Sequence, residues 1–120
     1  ARQCHIGASF LPPKECESRY KIGVDRIMWG TDYPHVEGSH PYTREHLRLT
    51  FAGVDPAEIE RMVTLNAAKL YGFDLEMLAK VAARVGPTKA EIAVPLALKD
   101  IPHPALKCPA FGPERQVVAA

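Results

Sequence analysis

Apolar residues recur at helical spacing in the middle of the chain and predict a long helix there. This helix begins at Asp55-Pro56, where the aspartate can cap the helix and the proline takes its first position. Glu58 can complete a capping box with Asp55. An asparagine on a buried face needs hydrogen-bond partners, so Asn66 is expected to tie the helix to nearby backbone. The predicted buried face runs toward Tyr71 and comprises Ile59, Met62, Val63, Asn66, Ala67 and Leu70.

A second long helix is predicted from Asp74, as its N-cap, to Val85. Gly86-Pro87 supplies the stop, because proline cannot continue a helix and glycine readily leaves it. The predicted apolar face comprises Leu75, Leu78, Val81, Ala82 and Val85.

Shorter helices are predicted on either side of these two. Thr43 can cap a helix in which Leu47 and Phe51, four residues apart, form the buried stripe. His46 falls beside that stripe and is expected at the surface. Thr88 begins a further helical turn and forms a capping box with the glutamate three residues later.

The unbroken apolar run 27–29 predicts a short strand that is covered on both faces, as in a parallel sheet. Gly30 and Pro34 predict that the strand ends near Asp32. A carboxylate, a phenol and an imidazole, from Asp32, Tyr33 and His35, follow this end. In α/β folds chemistry is usually placed there. On spacing alone, a structural interpretation remains open, in which Asp32 only caps the next turn.

Four blocks of sequence resemble the amidohydrolase-related family of metal-dependent hydrolases and decarboxylases: 22–25 (IGVD), 27–35 (IMWGTDYPH), 37–38 (EG) and 66–73 (NAAKLYGF). The resemblance covers roughly residues 1–85. It implies an α/β fold, a (β/α)8 TIM barrel with the run 27–29 in its eighth strand. Such a barrel typically needs about 250 residues, so the 120-residue chain is expected to be its C-terminal portion, mostly helical in isolation.

The resemblance also implies a site. Asp32 matches the strand-eight aspartate of the family, a catalytic proton acceptor or metal ligand, and the expected cofactor of the complete parent is a divalent metal ion, zinc in the first instance. Tyr33 and His35 are expected to contact a small organic substrate. The early His-x-His pair of the family is absent, so the chain alone is expected to be inactive. Hydrolysis, non-oxidative decarboxylation, a non-catalytic remnant and a small helical interaction module all remain open.

Composition narrows the function classes. With 15 basic and 14 acidic residues, the formal net charge of +1 gives no electrostatic case for nucleic-acid or membrane binding. No apolar run approaches the ~20 residues of a membrane span. Three cysteines without a CxxC spacing predict small buried side chains rather than a disulfide framework. This cysteine usage makes a reducing, cytoplasmic setting the expectation, and no secretory signal is visible at the N-terminus.

The character of the sequence changes at Pro87, because six of the eleven prolines lie from there onward. We therefore expect a barrel part over residues 1–86 and a Pro-rich extended arm over residues 87–120. Prolines prevent a long helix or a central strand. The arm retains large apolar residues, so it is expected to pack on its own domain or on a second subunit, which makes a homo-oligomer through the arm an open alternative.

Overall fold

The computed structural model describes residues 3–111, in which two short parallel strands pack against helices. Strand β1 (Ile6–Ser9) pairs with β2 (Ile27–Gly30) so that Ile6 lies opposite Ile27. The predicted strand at the apolar run is thus confirmed. Within residues 3–111 no helix has both the length and the hydropathy that a membrane crossing requires. The helices are α1 (Pro13–Cys16), α2 (Arg19–Ile22), α3 (Thr43–Thr50), α4 (Pro56–Glu60), α5 (Asn66–Tyr71), α6 (Leu75–Val85) and α7 (Lys89–Ala93).

The main core lies between β2 and the helices. Ile27 on β2 is 1% exposed, and Met62 opposite it in the helical layer is fully buried. Leu47 and Phe51 are both buried here, which confirms the stripe predicted for α3. Burying side chains of this size contributes about 1.5–3 kcal/mol each, so this cluster fixes the helices against the strand. The cluster comprises Leu11, Cys16, Ile27, Leu47, Phe51, Ile59, Met62 and Ile92.

The long helix predicted from Asp55 forms, with one irregular turn. Asp55 Oδ1 accepts hydrogen bonds from the backbone N–H groups of Ala57 (2.8 Å) and Glu58 (3.3 Å), as expected for an N-cap. The Glu58 carboxylate does not complete a capping box. It binds Arg19 Nε at 2.8 Å, a partner 39 residues away that helix rules cannot reveal. Residues Arg61–Leu65 form a π-helical turn between α4 and α5.

This π-helical turn changes which residues the second half of the helix buries. A π turn takes more residues per revolution than an α turn, so the buried face moves along the sequence. Ala68 is buried, whereas Leu70, predicted to be buried, is 44% exposed. The predicted buried face is therefore correct at Ile59, Met62 and Asn66, and it is wrong at Leu70, in place of which Ala68 is buried.

Asn66 joins the helix to the strand. Its side-chain Nδ2 donates to the carbonyl oxygens of Val24 and Ile27, at 2.7 Å each. These carbonyls lie in the 3₁₀ turn before β2 and at the first residue of β2. The structural role predicted for this asparagine is confirmed.

Helix α6 forms with the predicted bounds and cap, and its Asp74 Oδ1 accepts from the N–H of Met77 at 3.0 Å. None of its residues is buried. Leu75, Leu78 and Ala82 of its predicted apolar face line an open groove of about 560 Å³ between α6 and the segment from α4 through the π-helical turn, whereas Val81 and Val85 are exposed outside it. The groove is lined by apolar residues that include Ile59, Val63, Leu75, Leu78, Ala82 and Ile92.

The segment after α7 folds back onto the chain. It forms three 3₁₀ turns, Leu98–Asp100, His103–Lys107 and Pro109–Phe111. Residues 112–120 of the expected arm lie outside the described residues, and the division of the chain at residue 86 stays a prediction. The turns bury a second cluster against the rest of the chain, formed by Leu96, Ile101, Ala105, Ala110 and Phe111 with Phe10, Tyr42, Leu49 and Cys108 around it.

His46 is buried beneath this C-terminal segment, so its predicted surface position is wrong. The ring is fully buried between Trp29 and Phe111, with centroid distances of 5.9 and 5.5 Å. Its Nε2 donates to the carbonyl of Ala110 at 3.0 Å. The cause is a chain segment 64 residues away, which the local helical pattern cannot indicate.

Two smaller expectations also fail. Thr43 is the first residue of α3 rather than its cap, and its hydroxyl lies 3.3 Å from that of Ser39. Cys4 is exposed, whereas Cys16 is buried as expected. Burial raises the pKa of the Cys16 thiol, which keeps it protonated.

We predict that Asn66→Ala lowers the free energy of unfolding by about 2–3 kcal/mol, because two backbone carbonyls lose their donor and one of them is buried. The loss of the exposed cap in Asp55→Ala should cost only about 1 kcal/mol. Urea denaturation of both variants and the parent measures the two values. Equal losses of unfolding free energy in the two variants would contradict the greater contribution assigned to the two hydrogen bonds of Asn66.

Candidate functional site

Strand β2 delivers Asp32 to the end of the sheet. The chain leaves the strand at Gly30, and Asp32 adopts a left-handed conformation with φ of 60°. Aspartate tolerates this region better than most residues. Its Oδ1 accepts a hydrogen bond from Ser9 Oγ at the end of the neighbouring strand, at 3.4 Å, and lies 3.1 Å from His35 Nδ1. The carboxylate therefore faces the loop that follows β2, as predicted.

The segment 31–39, called the site loop below, closes on itself through its backbone. The N–H of His35 donates to the Asp32 carbonyl at 2.9 Å, and that of Gly38 donates to the His35 carbonyl at 3.1 Å. The N–H of Ser39 then returns to the carbonyl of Thr31 at 2.9 Å. These bonds hold the side chains of the site loop close to the end of β2.

Gly38 is required by this closure. A Cβ atom at this position would lie 2.5 Å from the carbonyl oxygen of Thr31 and 3.0 Å from that of Asp32. Both atoms belong to the backbone and cannot rotate away. Only glycine allows the returning chain to approach so closely.

The C-terminal segment supports the site loop from outside. The Cys108 thiol donates to the carbonyl of Gly38, and its Sγ lies 4.0 Å from the carbonyl oxygen of Glu37. Cys108 itself belongs to the second apolar cluster. The position of the loop therefore depends on residues about 70 positions further along the chain.

His35 forms an ion pair with Asp32. The hydrogen bond from Nδ1 to the Asp32 carboxylate raises the pKa of His35, and the charges of Asp32 and Glu37 act in the same direction. The stabilisation from this pair is fully present below the unfolded-state pKa of about 6.5 and is lost as the pH rises through the higher folded-state value. Because the His35 side chain is 66% exposed, solvent screening keeps this contribution small.

Glu37, which the sequence placed in a matched block without a site role, joins these two residues. One ligand atom from each of Asp32, His35 and Glu37 lies within 4.8 Å of the other two. Asp32 is partly buried, and the other two are exposed. The signal that could have identified Glu37 is its spacing, two residues after His35 in a segment bounded by Pro34 and Gly38, which forces the chain to turn.

Tyr33 lies on the same loop but makes its ring contact elsewhere. Its ring packs edge-on against His40, with centroids 5.0 Å apart, and both side chains are exposed. The structure thus brings Asp32 and His35 together, while Tyr33 remains a candidate for substrate contact from the exposed side of the loop.

The donors of the site loop fit a divalent metal ion. Imidazole nitrogen and carboxylate oxygen are both ordinary zinc ligands, bonded at about 2.0–2.2 Å, so two donors on one ion lie at most about 4.4 Å apart. The separation of 3.1 Å between Asp32 and His35 satisfies this limit. Glu37 needs at most a small rotation, which its exposure allows.

A carboxylate with neighbouring donors lies here beyond the carboxyl end of a parallel strand, the end of the sheet at which α/β enzymes place their chemistry. Residues 2–73 match the model of a family described as amidohydrolase. The match covers more than half of the chain, and the chain therefore belongs to the amidohydrolase family. Neither the curated proteins nor the solved structures that were compared with the chain gave a significant match.

Membership of the family confirms the resemblance drawn from the sequence. The family generally uses divalent metal ions, which agrees with the donors in the site loop. The described residues are mostly helical with a small parallel sheet, an arrangement compatible with part of a barrel. The match ends at residue 73, just after α5. Helix α6 and the C-terminal segment therefore lie outside it.

We predict that Asp32→Asn lowers the pKa of His35 toward the ordinary value of about 6.5, because the hydrogen bond to a charged carboxylate is its largest cause. Glu37→Gln removes the smallest cause and should lower that pKa less. Titration of the His35 ring signals by NMR measures both changes. A larger effect of Glu37→Gln would contradict the assigned pairing.

We also predict that Gly38→Ala destabilises the protein by about 1–3 kcal/mol, the usual cost of forcing extra volume into a packed position. Gly30→Ala is the matched control, because a Cβ there would meet no atom within 4 Å. Thermal unfolding of the two variants tests this difference. Equal melting temperatures would show that the close backbone approach at Gly38 does not constrain the loop.

Proposed function

We propose that the chain forms the C-terminal portion of a metal-dependent, amidohydrolase-type (β/α)8 barrel that hydrolyses a small organic substrate, with β2 as the eighth strand. The observation that carries this proposal is the position of Asp32. Its carboxylate follows a parallel strand and faces a polar loop, within a segment that matches the family. In β/α barrels the reacting groups occupy this position.

The incomplete burial of the sheet supports further barrel strands. Purely parallel sheets are normally covered on both faces and rarely contain only two strands. Gly7 and Ser9 on β1 are exposed, and a Cβ at Gly7 would meet nothing within 4 Å. The open groove along α6 also supports further elements of a barrel, because apolar surface of this size is usually covered by another part of a protein.

In the proposed reaction Asp32 would hold the metal ion or accept the proton of the attacking water. A divalent ion bound there would supply a nucleophile by lowering the pKa of its bound water. His35 orients the Asp32 carboxylate through the contact at 3.1 Å. Tyr33, exposed on the outer side of the site loop, would contact the substrate. The remaining ligands would come from other strands of the complete barrel, so the 120 residues alone should not turn over substrate.

The test uses the complete protein that contains these 120 residues. Asp32→Asn keeps the shape of the side chain but cannot accept a proton, so kcat should fall at least ~100-fold, the lower end of a general-base contribution. Circular dichroism should show an unchanged fold. Asp100→Asn, an exposed carboxylate outside the family match, is the matched control and should retain full turnover.

Near-normal turnover by Asp32→Asn would overturn the role of Asp32. No turnover of ester, amide or lactone substrates by the parent protein, together with release of carbon dioxide from carboxylated aromatic substrates, would instead assign the decarboxylase reaction. Failure on both substrate classes would leave the non-catalytic alternative.

A further inference from the structure

Helix α6 presents two apolar stripes, and the groove accounts for only one of them. The groove side of the helix is centred on Leu78 and Ala82. Met77, Val81 and Val85 follow one another at intervals of four residues and form an outer stripe, roughly a quarter of a turn away. Their exposed fractions are 53%, 43% and 64%, and neither buried cluster within residues 3–111 includes them.

A row of charged residues runs beside the outer stripe. Glu76, Lys80 and Arg84 recur at the same interval of four residues, and all three are exposed. Lys80 Nζ lies 3.6 Å from Glu76 Oε1 of the preceding turn. The row is acidic near the N-terminus of α6 and basic in the middle and toward the C-terminus, so the sign of the charge changes along the helix.

We propose that this outer face is an interface with a second copy of the chain, in which the two α6 helices pack antiparallel about a two-fold axis near Val81. Such an axis gives both subunits the same contact surface. Antiparallel packing places Glu76 opposite Arg84 of the partner subunit, and the symmetry repeats this pair. Parallel packing would place like charges opposite one another, which is unfavourable. The charged row is therefore complementary to itself in the antiparallel orientation only.

The charges and the position of the stripe favour a second copy over other occupants. A membrane surface or a nucleic acid would attract a uniformly basic row, whereas this row carries both signs. Neighbouring barrel elements would cover the groove side of α6, which faces the rest of the chain, rather than the outer stripe. Helix α6 lies outside the family match and before the Pro-rich arm, so the interface rests neither on the proposed function nor on the arm.

The expected contact is small. Helix α6 has 11 residues and is therefore about 16 Å long. Two helices of this length bury an area at the low end of specific interfaces, so the dimer should dissociate reversibly on dilution.

Sedimentation velocity over a range of concentrations tests this interface in the complete protein that contains these 120 residues. We expect the parent to associate as its concentration rises. Glu76→Lys makes the whole row basic, so two ion pairs become repulsions and the dissociation constant should rise at least about fivefold. Adding Arg84→Glu to this variant restores opposite charges and should restore association. Because both substitutions oppose the helix dipole, recovery in the double variant cannot come from a more stable α6.

Glu17→Lys makes the same change of charge at an exposed carboxylate outside α6 and is the matched control. It should associate like the parent. A parent that stays monomeric, equal association of Glu76→Lys and the parent, or no recovery in the double variant would each overturn the proposal.

Disulfide formation in the same protein tests which face of α6 makes the contact. Every sample carries Cys4→Ser, which removes an exposed native thiol. Val81→Cys should form a reducible dimer across the two-fold axis under mild oxidation, because the two thiols meet there. Ala83→Cys, exposed on the far side of the helix, is the matched control and should not. No linked dimer from Val81→Cys, or equal amounts from both variants, would show that the outer stripe is not the interface.

Discussion

The side-chain amide of Asn66 donates to the carbonyl oxygens of Val24 and Ile27 and so connects the helical layer to the entrance of β2. One of these carbonyls is buried, and the alternative partner, water, has no access to it. The amide therefore fixes the position of β2 along its own axis relative to the helix that carries Asn66. Because Asp32 follows the same strand five residues after Ile27, its position at the sheet end depends on this contact.

The other end of the strand is held by the close backbone packing of the site loop together with side-chain hydrogen bonds to it. The site loop returns over Thr31 because Gly38 has no Cβ, and Cys108 contacts its outer side. Donors with different exposures, the partly buried Asp32 and the exposed Glu37, are thereby brought to one place. The site thus joins residues matched by the family to a C-terminal segment outside the match.

Features that depend on neighbours in the sequence were predictable. The caps at Asp55 and Asp74 and the strand before Asp32 follow from local chemistry, and the structure has them. Features that depend on distant partners were not. Glu58 binds a residue 39 positions away, and His46 is covered by a segment 64 positions away, so neither helical pattern nor residue type could place them.

In the candidate site, too, some residues could be predicted from the local sequence and others could not. Asp32 and His35 were predicted because they follow a recognisable strand end within a family motif. The place of Glu37 beside them was not predicted, because it comes from the closure of the loop, which requires Ser39 to reach back to Thr31. A motif records which residues are adjacent in the chain, whereas a loop closure determines which donors are adjacent in space.

The π-helical turn at Arg61–Leu65 has a consequence for how the chain can vary in length. Such a turn accommodates one additional residue within a single revolution while the helix on either side keeps its direction. A relative that lacks one residue here would form an unbroken α-helix and still present its asparagine to the carbonyls beside β2. A one-residue gap between amidohydrolase sequences is therefore expected within this turn, whereas a gap in α4 would rotate Asn66 away from the strand.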